Sequence, residues 1–225
     1  MKKERVLQIV TMGMLAAVAY VVMVLIRIPV VSFLKYEPKD VIITIGGFMF
    51  GPLAAFLISF VVSLLEMVTV SDTGWIGALM NLISTCAFAC TAAFVYKKVH
   101  NLKGAIIGLV AGAVVMIGVM MLWNYFLTPI YMGVDRAAVA AMLPTVFLPF
   151  NALKGGLNAV ITMLLYKPVV TVLRKAHLVP PSESAPASAK SRVGITIAVV
   201  AVSLAVLAGL VILLLVMNGV IGGGN

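Results

Sequence analysis

The chain has little of what soluble proteins and most enzymes are built from. Only 10% of its 225 residues are charged, against about a quarter in an average soluble domain. It contains no G-x-x-x-x-G-K-[ST] phosphate loop, no H-E-x-x-H zinc helix and no G-x-S-x-G nucleophile elbow. These absences argue against a sizeable soluble domain and predict that the chain is not an enzyme. Any ATP hydrolysis that drives its function must therefore occur on another chain.

The two histidines and two cysteines have ordinary structural explanations. His100 and His177 lie in basic segments beside apolar stretches, which favours solvated loop residues over metal ligands. Cys86 and Cys90 stand four residues apart in one apolar stretch, and a helix does not readily bridge that spacing. Buried free cysteine packs as a small apolar residue. We therefore predict no metal site and no bound cofactor.

Long apolar stretches are what the sequence does contain. Hydrophobic residues make up 63% of the chain, and the mean hydropathy is +1.20. Because a spanning helix needs about 20 apolar residues, we predict an all-α integral membrane protein with about six or seven spans. Residues 41–70 are apolar, interrupted at Gly51-Pro52 and too long for one straight span, which predicts two short helices. The other predicted spans are residues 6–28, 75–96, 103–127, 144–170 and 193–217, with loops at 29–40 and 128–143.

A change in composition divides the chain. After Arg174 the sequence becomes rich in proline and serine, which is typical of a flexible linker. We predict a six-helix membrane domain over residues 1–175 and a linker over residues 176–192. An additional transmembrane helix with a short tail follows over residues 193–225.

The distribution of basic residues predicts the orientation in the membrane. With the amino terminus in the cytoplasm, eleven of the sixteen lysines and arginines fall on the cytoplasmic side and four fall outside, as the positive-inside rule requires. This places a multi-pass chain in the cell membrane with its amino terminus in the cytoplasm. The net charge of +9 is then a topology signal, and it indicates membrane lipid rather than nucleic acid as a partner.

One lysine lies deep in a predicted span. An ionisable side chain at that depth is costly and usually faces the bundle interior or a wet cavity. Asn151, Lys154 and Asn158 recur at i, i+3 and i+7 and therefore share one helical face. Two amides and an ammonium suit a neutral ligand that is rich in heteroatoms. The alternative is an interhelical hydrogen-bond network that only stabilises the bundle.

Further polar positions are candidates for the same site. Asn124 lies beside Trp123 near the outer end of the fifth span, where an amide and an aromatic ring suit a ring-shaped ligand; an interfacial aromatic belt is the alternative for Trp123. The loop that contains Tyr36 and Asp40 either covers an outward-facing pocket, or Asp40 only caps the next helix. Glu66 is predicted to be interfacial or to line the pocket, with proton coupling as the alternative.

Two stripes of small residues predict close helix packing. Gly104, Gly108 and Gly112 line one face of the fifth span, and Gly13 and Ala17 line one face of the first. Such stripes are common in membrane proteins, so they are only weak evidence for a partner subunit.

Four segments carry a resemblance to a known family. They are residues 12–17 (MGMLAA), 34–40 (LKYEPKD), 50–54 (FGPLA) and 150–155 (FNALKG). Over residues 5–175 the chain resembles the substrate-binding S component of energy-coupling-factor (ECF) vitamin transporters, and in particular its riboflavin-binding branch. The Lys-Tyr-Glu-Pro-Lys-Asp loop and the Asn-x-x-Lys helix are the specific parts of this resemblance.

The resemblance implies a compact six-helix bundle that binds riboflavin, its transported ligand, from outside the cell and has no energy source of its own. It would associate with a transmembrane coupling subunit and two cytoplasmic ATPases, docking through the small face of Gly13 and Ala17. By motif, Asn151 and Lys154 would contact the isoalloxazine ring together with Asn124. Asp40 and its loop would lie over the ligand. The linker and the seventh helix are extra to the family pattern.

Other functions stay open from the residues alone. The same architecture could bind another vitamin or a precursor. A standalone secondary transporter or channel would predict several intramembrane charges or an inverted repeat, whereas the sequence has only Lys154 deep in a span and no convincing repeat. A membrane enzyme would need a nucleophile and a base at membrane depth, and Glu66 with Lys154 is a poor pair for that chemistry.

Overall fold

A computed structural model describes residues 2–31, 34–71, 74–178 and 189–217 of the chain. Helices dominate it, and one short antiparallel hairpin follows the first helix. The helices are α1 (Lys2–Leu25), α2 (Lys39–Phe50), α3 (Pro52–Thr69), α4 (Gly74–Lys98), α5 (Leu102–Met132), α6 (Arg136–Met142), α7 (Leu148–Lys175) and α8 (Ala189–Met217). The hairpin strands are β1 (Ile28–Val31) and β2 (Leu34–Tyr36), and a π-helical turn (Leu143–Phe147) joins α6 to α7.

Five stretches of the described helices are long and apolar enough to cross a membrane. They are Glu4–Leu25, Pro52–Thr69, Gly74–Lys98, Leu102–Met132 and the continuous stretch Arg136–Lys175. The prediction of an all-α membrane protein is therefore confirmed.

The break predicted at Gly51-Pro52 is also confirmed. Helix α2 ends at Phe50 and α3 begins at Pro52. Gly51 has a φ of +95°, which glycine adopts readily because it has no Cβ. Pro52 occupies the first helical position, where its missing N–H removes no helical hydrogen bond.

Two regions predicted as loops contain regular structure. Residues 29–40 hold most of the hairpin and the first two residues of α2, and residues 128–143 hold the end of α5 and all of α6. Helix α5 continues to Met132 and ends at Gly133, whose φ is +64°. Asp135 then starts α6 by accepting a hydrogen bond from the backbone N–H of Ala137. Both regions contain charged and turn-forming residues, which are typical of loops, so the sequence did not predict these short elements.

The glycine stripe of α5 packs directly against α4. A Cβ atom added to Gly108 would lie 2.7 Å from the backbone oxygen of Ala92, and one added to Gly112 would lie 2.5 Å from that of Phe88. Only glycine allows the two backbones to come this close. The predicted close packing is therefore confirmed, with α4 as the partner helix.

Helix α8 packs on the outside of α7, beside the hairpin. A Cβ atom added to Gly156 would lie 3.1 Å from the Leu210 side chain, so Leu210 sits in the notch that this glycine leaves. Leu207 and Leu210 also pack against the apolar cluster that contains Val30 and Tyr36. Helix α8 begins at Ala189, four residues before the predicted span. The central part of the predicted linker, 179–188, lies outside the described residues.

Gly112→Ala should destabilise the bundle, because the new methyl group would collide with the backbone oxygen of Phe88. We expect a loss of about 1–3 kcal/mol in the free energy of unfolding. Thermal unfolding in detergent measures the change. Gly118→Ala, in the same helix but with nothing within 4 Å of the added atom, is the matched control. Equal unfolding midpoints for the two variants would contradict this account of the α4–α5 contact.

Candidate substrate-binding site

A cavity of about 1050 Å³, including the open space at its mouth, lies at the hairpin end of the bundle. Its walls come from the end of α1, the hairpin, the ends of α3 and α5, and the beginnings of α4 and α7. Segments that are distant in the sequence therefore line one shared space.

One wall combines amides and an ammonium, as the sequence predicts. Asn124 on α5 and both Asn151 and Lys154 on α7 line the cavity, and all three side chains are buried. Each amide is held by its own helix: Asn124 Nδ2 donates to the Met120 oxygen at 2.7 Å, and Asn151 Nδ2 donates to the Phe147 oxygen at 2.7 Å. A primary amide has two N–H donors and an oxygen acceptor, so each retains bonding capacity for a ligand.

Lys154 reaches the cavity from the beginning of α7. The regular helix starts at Leu148, so the lysine lies about two turns into it and near the middle of the continuous stretch Arg136–Lys175. Its Nζ donates to Ser84 Oγ at 3.3 Å and lies 3.4 Å from Asp40 Oδ2. The ammonium is therefore held between α2 and α4 while its face toward the cavity is free to meet a solute.

A second wall is ionic. Lys39 is 1% exposed and pairs with Glu66 and with Glu37, the latter at 3.0 Å. Arg27 Nε donates to Glu37 Oε1 at 2.8 Å, and Asn81 Nδ2 donates to Glu66 Oε1 at 2.6 Å. Arg27, Glu37, Glu66 and Asn81 all line the cavity. Two cations and two carboxylates thus compensate one another on this side of the cavity.

The charges around Glu37 also set its protonation. Burial by itself raises the pKa of the Glu37 carboxyl, but the charges and hydrogen bonds of Lys39 and Arg27 lower it by more, so its pKa lies below the ordinary value. Because the folded-state pKa is depressed, this carboxylate stabilises the fold above its ordinary pKa. That contribution is lost as the pH falls through the folded-state value.

Between the polar walls the cavity surface is apolar and aromatic. Trp123 lines it beside Asn124, and Phe150 lines it beside Asn151. Met80, Met120 and Leu127 complete this surface. Of the two interpretations of Trp123, a place in the pocket is the one that the structure supports. A flat ring could lie against this surface while its edges meet the amides.

Three predicted site residues lie behind the cavity wall rather than on it. Asp40 and Asn158 are 0% exposed and Tyr36 is 3% exposed. The alternative that Asp40 only caps the next helix is wrong, because α2 begins at Lys39 and Pro38 occupies the cap position. The Asp40 carboxylate instead accepts hydrogen bonds from Thr85 and Asn158, at 2.7 and 3.0 Å.

Sequence reasoning missed most of the ionic wall. The orientation count placed Arg27 and Lys39 among the four basic residues on the outer side, whereas both side chains lie within ion-pair distance of Glu66. The sequence did contain a signal for these ion pairs. Positive and negative residues alternate through residues 35–40, and the apolar stretch that follows contains one acid, Glu66. Glu66 was predicted as interfacial or pocket-lining, and the pocket position is confirmed.

These features define a class: a helical membrane protein with a cavity of polar and aromatic walls at one end of its bundle. A family model described as "ECF transporter, substrate-specific component" matches residues 7–166 of the chain. The chain therefore belongs to the family of ECF transporter substrate-specific components. The matched residues end before α8 begins.

Individual relatives carry more specific names. The chain is 30% identical to the riboflavin transporter RibU of Staphylococcus aureus, over 75% of this chain and 93% of that protein. It is 28% identical to the riboflavin transporter FmnP of Bacillus subtilis, over 77% and 99% respectively. A solved structure titled "Structure and mechanism of the S component of a bacterial ECF transporter" superposes with a TM-score of 0.63 at 29% identity, covering 74% of this chain and 96% of that one.

Lys39→Met should strongly destabilise the protein, because it leaves the buried Glu37 and Glu66 carboxylates to share the single positive charge of Arg27. Removing one partner of a buried ion pair costs about 3–5 kcal/mol. The thermal unfolding midpoint in detergent tests this, with Lys175→Met, an exposed lysine at the far end of α7, as the control. The double variant Lys39→Met/Glu66→Gln should recover part of the loss. No recovery would contradict charge compensation as the role of Lys39.

Proposed function

We propose that this chain is the riboflavin-binding subunit of an ECF transporter and mediates riboflavin uptake together with an energy-coupling module. The observation that carries the proposal is the cavity wall of Asn124, Asn151 and Lys154 beside Trp123. It stands in a chain that belongs to the substrate-specific family and whose relatives are named riboflavin transporters. Riboflavin is here the transported ligand rather than a cofactor.

The chemistry of the wall suits the isoalloxazine ring. Its pyrimidine edge alternates carbonyl oxygens, an N–H donor and ring nitrogens, so it needs both donors and acceptors. Asn124 and Asn151 offer both, and the Lys154 ammonium donates to oxygen or nitrogen acceptors. Trp123 and Phe150 provide apolar and aromatic surface for the flat ring. The sugar-alcohol chain of riboflavin is rich in hydroxyl groups, which suits the ionic wall of Arg27, Glu37, Glu66 and Asn81.

We further propose that the cavity opens to the outside of the cell and that the amino terminus lies in the cytoplasm. The hairpin end carries the cavity, and the other ends of α4 and α7 carry basic residues in their last turns. A basic cytoplasmic end follows the positive-inside rule. A solute would then be captured outside and delivered inward by the coupling module, because the chain carries no nucleotide-binding motif.

The proposed docking face for the transmembrane coupling subunit and its two ATPases is on α1. Gly13 and Ala17 are exposed there, and nothing lies within 4 Å of a Cβ atom added to Gly13. Small residues allow another helix to approach closely. The opposite side of α1 carries Ala16 and Ala19, which are buried in the bundle.

Riboflavin should bind one-to-one to the purified protein and lose its fluorescence on binding. Lys154→Met and Asn151→Ala should each weaken binding by about tenfold or more, since each removes a hydrogen-bond partner from a buried site. Lys175→Met, on the exposed end of the same helix, should bind like the wild type. A folded wild-type protein that does not quench riboflavin fluorescence would overturn the riboflavin assignment while leaving the family membership in place.

Ala17→Trp should separate binding from uptake. The bulky ring would block close approach at the small face of α1, so uptake of labelled riboflavin should fall at least tenfold in cells that co-produce the coupling subunits. Riboflavin binding by the purified variant should stay unchanged, because the cavity is at the hairpin end. The control is Ile107→Trp, which places the same ring on an exposed position of α5. Normal uptake by Ala17→Trp would place the docking surface elsewhere.

A further inference from the structure

A buried polar chain lies directly behind the lysine of the cavity wall. Asp40 Oδ2 is 3.4 Å from Lys154 Nζ and also accepts from Asn158 Nδ2 at 3.0 Å. Asp40 Oδ1 accepts from Thr85 Oγ1 at 2.7 Å. Asp40 is 0% exposed, so this carboxylate has exchanged water for these three partners. It therefore has a fixed position, set by α2, α4 and α7 together.

The same chain extends to the hairpin. Tyr36 on β2 donates its hydroxyl hydrogen to Asn158 Oδ1 at 3.1 Å. Burial raises the pKa of the Tyr36 hydroxyl, and the Asp40 charge raises it further, so the group stays protonated and remains a donor. The amide of Asn158 is thereby oriented with its nitrogen toward Asp40. The hairpin, Asn158 and Asp40 thus form one ordered sequence of hydrogen bonds behind the site.

A lysine at such a position needs both a counter-charge and a restraint. Its ammonium sits on a flexible four-carbon chain, and a buried charge without a partner is costly. Lys154 is 7% exposed, with Asp40 as its ion-pair partner and Ser84 as its hydrogen-bond acceptor. Ser84 lines the cavity, whereas Asp40 lies behind it. The carboxylate is therefore placed to act on a ligand through the lysine rather than by contact.

We propose that Asp40 is a positioning residue, which holds the Lys154 ammonium aimed into the cavity so that it can donate to an acceptor atom on the ligand ring. Thr85 and Asn158 fix the carboxylate, and Tyr36 fixes Asn158. This inference rests on the proposed riboflavin-binding function. It assigns Asp40 a role different from the direct ligand contact that the sequence suggests.

A double-mutant cycle separates this role from a purely structural one. Asp40→Asn, Lys154→Met and the double variant are titrated with riboflavin by fluorescence quenching, and their thermal unfolding midpoints are measured alongside. Asp40→Asn should weaken binding by about tenfold or more. In the Lys154→Met background the same change should cost no further affinity. Asp135→Asn, at an exposed helix start where asparagine caps equally well, is the matched control and should bind like the wild type.

Thr85→Val keeps the Asp40 charge and removes one of its hydrogen bonds, so it provides a second measurement if Asp40→Asn does not fold. It should weaken binding by a smaller factor and should have no effect in the Lys154→Met background. The visible absorption band of bound riboflavin should also shift in Asp40→Asn and in Thr85→Val, because the Lys154 ammonium next to the ring moves in both variants.

Wild-type affinity in Asp40→Asn, or losses that simply add to those of Lys154→Met, would overturn the positioning role while leaving riboflavin binding established. Absence of saturable binding by the wild-type chain would instead overturn the proposed function and this inference with it.

Discussion

Charge compensation in an apolar bundle is the constraint on which the rest of this structure depends. Six charged side chains that are buried or half-buried meet at the hairpin end: Arg27, Lys39, Lys154, Glu37, Asp40 and Glu66. Their charges sum to zero, and each lies within ion-pair distance of an opposite charge. An unpaired ion in such surroundings costs several kcal/mol. The hairpin, α2, α3 and α7 must therefore take up one relative arrangement for these pairs to form.

The cavity is a consequence of that arrangement. Ion pairs of Arg27 and Glu37, which flank the hairpin, join it to α3 and α2 on one side, while Asp40 and Lys154 join α2 to α7 on the other. The glycine contacts between α4 and α5 bring these two helices close together at Gly108 and Gly112. Space is left at the hairpin end, where side chains rather than backbones meet. A polar solute can occupy it because the polar groups around it are already positioned by one another.

The sequence allowed much of the fold to be predicted and only part of the site. Spans, the break at Gly51-Pro52 and the glycine face of α5 follow from hydropathy, helix geometry and residue size, which are local properties. The hairpin was missed because its strands are three or four residues long and carry a proline and a lysine. Asn151 and Lys154 were found because their spacing shows that they share a face. Lys39 was missed because only its tertiary partners make it a buried residue.

The sequence by itself determined that this is a helical membrane protein, since apolar length and the scarcity of charge leave no other stable environment for the chain. It also determined which polar residues are unusual, because a lysine or acid within an apolar span must have a partner. Only the tertiary structure decided which partner each one has. Asp40 and Lys154 are 114 positions apart in the chain, and no periodicity relates them. Their pairing depends on how α2 and α7 pack, and that packing separates the residues that face the cavity from those that support it.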